Sequence, residues 1–393
     1  MLSFEAVGLG VVAACAALVS SLFTLNLIRP AALVGDEHEY AETFRSGARR
    51  VVWVRVPGLR IIYAAVSALT GWSMSRSGRY VGIVSGACAV GAVTILAVAW
   101  AGPVAGVFTA IPLILMTERS ILSVHLWPDT LLSLLIAGFI CALSAENWPA
   151  AGIVLALAVM VRFDCLSWSL IAAVAAVFQG ATVIDWLAAA LPTLTALAVL
   201  SVMNGLKRGV WLPDTTWRFN LRVLARDAEV RNTPIRQLML AELAGSPMSE
   251  TRSLLGAAAA LMARVRVLAG PETFLTEKML ICDEGKYRNR IGRLGAINLE
   301  YSFTLALLGF IFLVPLEFTL LVWTVLWLFA VLTLVNTRSR YRQIITPLIC
   351  LGAGVGLAHQ FTTPYSLDEA LFRAPLVLGS IAVLAVAPRR REN

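Results

Sequence analysis

Two adjacent carboxylates, Asp36 and Glu37, stand a few residues beyond a long apolar segment that ends at Ile28. Paired acids at a membrane boundary are costly unless water, hydrogen bonds or a cation stabilise them. Such a pair can supply a general base that takes a proton from a hydroxyl group, with the second acid positioning the first or binding a metal ion. The same residues could instead begin a helix, because Asp36 as N-cap with Glu39 three residues later is similar to a capping box. Both interpretations stay open from the residues alone.

The loop 29–60, which carries these acids, is rich in arginine, a residue suited to bidentate recognition of phosphate. By the positive-inside rule the arginines would pull the loop to the cytoplasm, so an external position would need a reason such as an anionic substrate. For any single arginine, anchoring on lipid headgroups is an equal alternative. The arginines are Arg29, Arg45, Arg49, Arg50, Arg55 and Arg60.

His125 and Asp129 follow in a second polar stretch and are four residues apart. This spacing could place both side chains on one helical face, where they could contact a metal or a substrate. The alternatives are an interfacial histidine and an ordinary acid at a helix start after Pro128.

Two later groups of charged residues lie beside apolar stretches. Arg162 and Asp164 interrupt an apolar region, where ionisable residues tend to face a cavity or one another. Arg338, Arg340 and Arg342 form a basic cluster that could anchor the chain at the cytoplasmic face or clamp a phosphate.

The elements that must position all these residues are membrane helices. Of the 393 residues, 59% are hydrophobic and 14% charged, and the mean hydropathy is +0.79. Soluble domains are closer to half apolar and a quarter charged. Apolar tracts near membrane-spanning length recur along the chain, which predicts an all-α, polytopic transmembrane bundle of about 10–12 helices. The tracts fall near 7–28, 61–75, 80–100, 103–116, 128–143, 150–161, 165–178, 183–203, 296–316, 317–335, 344–358 and 371–387. Juxtamembrane helices are expected in the first loop.

The tracts divide the chain into an N-terminal transmembrane module (1–203), a polar insertion that is expected to be helical (204–295) and a C-terminal transmembrane module (296–393). The tract 7–28 predicts a retained first membrane helix rather than a cleaved signal peptide. The six cysteines form no C-x-x-C pair, which argues against disulfides and a zinc site. Neither a nucleotide-binding loop nor a basic, aromatic-interleaved module is present in the sequence, so no nucleotide cofactor and no nucleic-acid partner are expected.

Four motifs, taken in order, resemble the GT-C superfamily of polytopic glycosyltransferases. They are Asp36-Glu37-x-x-Tyr40 with Arg55-x-Pro57-Gly58, then Glu118 through Leu126-Trp127-Pro128-Asp129, then Gly152 through Arg162-Phe163-Asp164, and last Arg340-Tyr341-Arg342-x-x-x-x-Pro347. Each motif is short, so the resemblance depends on their order along most of the chain. The relatives include protein O-mannosyltransferases and lipid A aminoarabinose transferases. Because the chain ends soon after its last apolar tract, we expect it to stand outside the aminoarabinose-transferase and oligosaccharyltransferase branches.

The resemblance implies transfer of a sugar from a polyprenyl-phosphate-linked donor, with Asp36 as general base and Glu37 as supporting acid. It implies a bacterial inner-membrane enzyme whose active site faces the periplasm or exterior and whose acceptor is a lipid, a glycan or a protein. A divalent metal such as Mg²⁺ or Mn²⁺ would be held by Asp36 and Asp129. The implied substrate-binding residues are Tyr40, Arg55, Arg60, His125, Asp129, Arg162, Arg340, Tyr341 and Arg342.

Two other functions stay open. An O-antigen ligase or polymerase would use the insertion 204–295 as its active region, and loss of Asp36 would then be silent. A transporter or flippase of lipid-linked or anionic substrates would be expected to distribute ionisable residues through the membrane and to show repeat symmetry. Here the acids lie at the ends of apolar tracts, which disfavours transport.

Overall fold

The computed structural model describes residues 3–28, 37, 57–208, 211–213, 319–334 and 342–362. In these ranges the regular structure is helical and contains no β-strand, which confirms the predicted all-α class. The helices are α1 (Phe4–Ile28), α2 (Gly58–Thr70), α3 (Met74–Leu115), α4 (Thr117–Ser123), α5 (Asp129–Ser144), α6 (Trp148–Val161), α7 (Trp168–Phe178), α8 (Val183–Arg208), α9 (Thr319–Leu334) and α10 (Arg342–Thr362), with a 3₁₀ turn at Phe163–Ser167.

Four of the described helices are long and apolar enough to cross a membrane. Their candidate spans are Phe4–Asn26 in α1, Met74–Leu115 in α3, Val183–Leu206 in α8 and Gln343–Phe361 in α10. Shorter apolar helices, including α5 and α6, stand between them. These elements begin and end close to the apolar tracts of the sequence, and the chain is an integral membrane protein. The number of about 10–12 membrane helices stays a prediction, and the juxtamembrane helices expected in the first loop fall almost wholly outside the described residues. The insertion 204–295 lies almost wholly outside the described residues, and the division into modules stays a prediction.

The helix α3 is interrupted at Ala101 and Gly102, where Gly102 has φ +82°. Glycine adopts this backbone conformation at little cost, and the proline that follows it cannot donate a backbone hydrogen bond. Beyond the break, Gly106 packs against Val98, and Arg119 lies near Gly86. The second segment therefore returns along the first, and α3 is a helical hairpin. The separate apolar tracts 80–100 and 103–116 predicted this break.

The hairpin forms the centre of the bundle, and α1, α2, α5 and α10 all pack on it. Glycines permit close approach at these contacts, as interfaces between membrane helices generally require. A Cβ at Gly91 would lie 2.9 Å from the backbone oxygen of Gly10 in α1, and one at Gly354 of α10 would lie 2.8 Å from the backbone oxygen of Ala105. The helix α6 packs between α5 and α8.

Helix ends from distant parts of the sequence meet at one end of this bundle. Gly58, at the start of α2, lies directly against the backbone of Met160, near the end of α6. Gly82, near the start of α3, lies against the carbonyl oxygen of Ser123, at the end of α4. In the first turn of α5, the hydroxyl of Ser133 donates to the backbone oxygen of Gln343, 2.7 Å away, which places the start of α10 beside it.

Candidate active site

Glu37 and His125 form a buried pair at the end of the bundle where these helix termini meet. Oε1 of Glu37 lies 2.9 Å from Nδ1 of His125, and the two side chains are 1% and 3% exposed. The same oxygen accepts a hydrogen bond of 2.7 Å from the backbone N–H of Leu126. An ionised carboxylate can only accept hydrogen bonds, so Nδ1 of the imidazole carries the proton. The structure thus joins two residues that the sequence separates by 88 positions.

The segment that carries His125 is a turn between two helices. After α4, the backbone N–H groups of Val124 and His125 bond to carbonyl oxygens three residues back, at 3.2 and 3.3 Å. Pro128 then disfavours helical backbone at the preceding Trp127, and α5 begins at Asp129. His125 therefore precedes the helix that Asp129 begins. The prediction that the two residues share one helical face is wrong, because Pro128 separates them.

A stripe of glycines on α3 provides the surface on which this turn lies. Gly78, Gly82 and Gly86 are spaced four residues apart, which places them on one face of the helix. A Cβ at Gly78 would overlap the side chain of Leu126, one at Gly82 would overlap the Ser123 carbonyl oxygen, and one at Gly86 would lie 3.5 Å from the Ser123 Cβ. The glycines thus leave room for the turn that presents His125. Sequence reasoning missed this stripe, although its spacing is the small-xxx-small pattern of membrane helix contacts.

Trp127 covers one face of the His125 ring. The two ring centroids are 4.6 Å apart and the planes are inclined by 17°. Trp127 is 1% exposed, so the stack is inside the protein. With Glu37 at Nδ1 and Trp127 on one face, the imidazole is fixed in both position and orientation.

Arg162 lies between two carboxylates at the same end of the bundle. Its guanidinium forms a bidentate contact with Asp164, with Nε and Nη2 donating to the two carboxylate oxygens at 2.9 and 2.6 Å. Its Nη1 lies 3.7 Å from Oδ1 of Asp129, which is 1% exposed. The pairing of Arg162 with Asp164 confirms that these ionisable residues face one another. Asp129 does begin a helix, as the structural alternative predicted, but it also faces an arginine.

Two further arginines reach the same end of the bundle. Arg60 is 6% exposed and lies in the first turn of α2, whose starting residue Gly58 abuts the end of α6. Arg79, in the second turn of α3, is close enough to Glu37 to be attracted electrostatically by its carboxylate. Arg79 was not among the predicted site residues. The sequence feature that could have identified Arg79 is its place immediately before the apolar tract of α3.

Arg119 fixes α4, the helix that precedes the turn, against α1 and α3. It is 2% exposed, and its Nε donates to the backbone oxygen of Leu113 at 2.6 Å. Its Nη1 donates to the Ser21 hydroxyl at 3.1 Å, and its Nη2 donates to the Ser120 hydroxyl at 3.0 Å. Burial lowers the pKa of Arg119 to about 10, so the side chain stays charged at neutral pH. It links α1 to the end of the α3 hairpin and to α4.

The remaining predicted site residues lie outside the described part of the chain, and their roles stay predictions. They are Asp36, Tyr40, Arg55, Arg340 and Tyr341, while Arg342 is described only as the first residue of α10. Within the described ranges, no three His, Cys, Asp or Glu side chains are grouped so that they could hold a metal ion. The metal predicted at Asp36 and Asp129 involves a residue outside those ranges and likewise stays a prediction.

The arrangement of helices has a counterpart among solved structures. The crystal structure of ArnT from Cupriavidus metallidurans bound to undecaprenyl phosphate matches 96% of this chain and 74% of that chain, with a TM-score of 0.51 and 14% sequence identity. The chain has the GT-C fold. The structure of the same ArnT in the apo state matches 94% of this chain and 74% of that chain, with a TM-score of 0.44 and 14% identity. No protein-family model and no curated protein matches the amino-acid sequence.

The GT-C fold confirms the architecture that the four ordered motifs implied. Three of those motifs contribute to a polar cluster at this end of the bundle, in which Glu37 from the first motif contacts His125 from the second. Asp129 from the second motif faces Arg162 from the third. The expectation that the chain stands outside the aminoarabinose-transferase branch stays a prediction.

Proposed function

We propose that the protein is a membrane glycosyltransferase that moves a sugar from a polyprenyl-phosphate-linked donor to a hydroxyl group of a lipid, glycan or protein acceptor. The observation that carries this proposal is that residues from three separated motifs meet at one end of a GT-C bundle, where Glu37 contacts His125 and Asp129 faces Arg162. The ArnT that shares this fold was solved with undecaprenyl phosphate bound, which supports a donor of the same lipid class here.

In the proposed reaction, Asp36 takes the proton of the acceptor hydroxyl as its oxygen attacks the anomeric carbon of the sugar. The bond from that carbon to the phosphate oxygen breaks, and its electron pair leaves with the polyprenyl phosphate. Attack from the side opposite the leaving group inverts the anomeric centre. Such a general base contributes about 10²–10⁴-fold in rate.

Negative charge grows on the departing phosphate, so N–H donors fixed around it lower the barrier. Arg60 is buried at the start of α2, and Arg162 is oriented by two carboxylates; both are proposed as such donors. A divalent cation held by Asp36 and Asp129 would supply the same stabilisation. It would share Asp129 with Arg162, whose Nη1 is 3.7 Å from the carboxylate.

The proposal places the enzyme in a bacterial inner membrane, with the cluster on the periplasmic or exterior side. The six arginines of loop 29–60 are unusual for a loop outside the cytoplasm. An anionic, lipid-linked donor gives them a reason to be there, because phosphate pairs well with guanidinium.

The test is glycan and lipid analysis by mass spectrometry of cells that express wild type, Asp36→Asn or Asp185→Asn at equal abundance. Asp185 is a matched control, because it accepts hydrogen bonds from Thr182 at the start of α8, away from the cluster. We expect a glycosylated product that is present with wild type and Asp185→Asn and missing with Asp36→Asn.

An unchanged product in the Asp36→Asn cells would exclude Asp36 as the base. If substitutions within 204–295 then removed the product, the chemistry would lie in that insertion, as an O-antigen ligase or polymerase would require.

A further inference from the structure

Nε2 of His125 is a buried polar atom that has no hydrogen-bond partner among the residues that the structure describes. The other ring nitrogen is held by Glu37 at 2.9 Å, and the whole side chain is 3% exposed. An unpaired polar group in the interior costs about 1–3 kcal/mol. A carboxylate and a stacked tryptophan therefore orient a nitrogen toward a partner that the described part of the polypeptide does not provide.

A second nitrogen of this kind lies near the same carboxylate. Nε of Arg79 is buried and, within the described ranges, without a hydrogen-bond partner, and Arg79 is attracted electrostatically by Glu37. Guanidinium N–H groups can only donate, so a partner for Arg79 must present acceptors. An imidazole ring that has an acceptor at each nitrogen must carry both ring protons, and Nε2 is then a donor as well.

These two donors suit an anion with several acceptor oxygens better than they suit a sugar hydroxyl. Two of the nearby carboxylates already have hydrogen-bond donors, since Glu37 is bonded to His125 and Leu126 and Asp164 is held bidentately by Arg162. Phosphate provides the required oxygens and the negative charge.

We propose that Nε2 of His125 donates a hydrogen bond to a phosphate oxygen of the lipid-linked donor and of the polyprenyl phosphate that it releases. Glu37 is then a positioning residue that accepts from Nδ1–H of His125 while Nε2 carries the second ring proton, instead of the partner of Asp36 that the sequence predicted. This inference rests on the proposed function, since it names the atom that binds the phosphate of the proposed donor.

Two amide substitutions distinguish ligand binding by Nε2 from a structural role of His125, because each amide nitrogen replaces only one of the two ring nitrogens. In His125→Asn, the amide nitrogen stands near the position of Nδ1 and can keep the bond to Glu37, but no atom replaces Nε2. In His125→Gln, the amide nitrogen reaches the position of Nε2, and the contact with Glu37 is lost. If Nε2 binds phosphate, His125→Asn has the weaker affinity for undecaprenyl phosphate. If His125 only supports the structure through its contact with Glu37, His125→Gln has the weaker affinity instead.

The assay measures the affinity of the full-length protein in phosphatidylcholine nanodiscs for undecaprenyl phosphate. Losing a hydrogen bond to a charged group predicts at least about a tenfold weaker affinity for His125→Asn, with His125→Gln between it and the wild type. His359→Asn, in the last turn of α10, is the control and is expected to bind like wild type. A second series with phosphatidylglycerol in the nanodiscs tests whether a phospholipid headgroup fills the site, in which case it competes with undecaprenyl phosphate.

Solid-state NMR with ¹⁵N–³¹P dipolar recoupling measures the proximity of the His125 nitrogens to the lipid phosphorus directly. This experiment keeps His125 in place, so it does not depend on the folding of the His125 variants. The chain has three histidines, so His38→Gln with His359→Gln leaves His125 as the one labelled histidine. A nitrogen–phosphorus coupling with bound undecaprenyl phosphate is expected. Its absence, or wild-type affinity in His125→Asn, overturns the role of Nε2 and leaves the proposed function standing. A wild-type protein that does not bind undecaprenyl phosphate overturns both.

Discussion

Gly82→Ala is expected to damage both the stability and the activity of the protein through a single methyl group. A Cβ at this position overlaps the carbonyl oxygen of Ser123 and lies 3.5 Å from that of His125. The obstacle is backbone, so no side-chain rotation relieves it. Carbon and its non-bonded neighbours normally stay about 3.5 Å apart, so the turn must move away from α3 on the order of 1 Å.

The energetic terms for Gly82→Ala oppose each other. Replacing glycine by alanine inside a helix gains about 1 kcal/mol, and overpacking a filled interface costs about 1–3 kcal/mol. Because Glu37 bonds to Leu126 in the turn and Arg119 fixes the preceding helix α4 against α3, we take the upper part of that cost and expect a net loss of about 1–2 kcal/mol. A displacement of about 1 Å near reacting groups can lower the rate by about a hundredfold.

The measurements are denaturant unfolding in detergent micelles and formation of the glycosylated product. Gly138→Ala is the matched control, because Gly138 lies inside α5 and no atom of the described residues stands within 4 Å of where its methyl group would be. It should gain about 0.5–1 kcal/mol and keep full activity. A Gly82→Ala protein that shows the same gain and normal product formation would refute the idea that the glycine stripe makes room for the His125 turn.

Three further substitutions test other contacts. Asp129→Asn removes the negative charge facing Arg162. We expect product formation to fall about a hundredfold or more. The unfolding midpoint should stay close to that of the wild type, because Arg162 keeps its bidentate partner Asp164. Arg119→Lys cannot reach all four acceptors of the guanidinium and should lose about 1–3 kcal/mol in denaturant unfolding. The exposed control Arg76→Lys should stay within about 0.5 kcal/mol. Trp327→Phe removes the 2.9 Å hydrogen bond from the indole N–H to the backbone oxygen of Ser167, which connects α9 to the 3₁₀ turn. The same assay should show a loss of about 1 kcal/mol in the free energy of unfolding. An unchanged unfolding midpoint would mean that this bond makes no net contribution to stability.

The helices were predictable because membrane insertion imposes a strong pattern on the sequence. Segments that cross lipid must be apolar and long, and the ends of α5, α6 and α9 fall within a few residues of the tracts. The reversal at Gly102 was visible as well, since a glycine followed by a proline interrupts a continuous apolar stretch.

The partners within the site were not predictable from local pattern. Glu37 and His125 were both identified as site residues, but their pairing depends on how α1, the α3 hairpin and α4 pack together. Arg119 was missed because a buried arginine and an interfacial one have the same local sequence. Its role depends on the carbonyl and hydroxyl groups that the fold brings to it.

The 88 residues between Glu37 and His125 also set an order of events during biosynthesis. Translation at about 5–20 residues per second separates the appearance of the two residues by roughly 4–18 s. During that interval the hairpin α3 is synthesised, and the two hydrogen bonds from His125 and Leu126 to the carboxylate cannot yet form. A chain truncated before His125 would therefore lack the imidazole and the Leu126 N–H that bond to the Glu37 carboxylate in the complete protein.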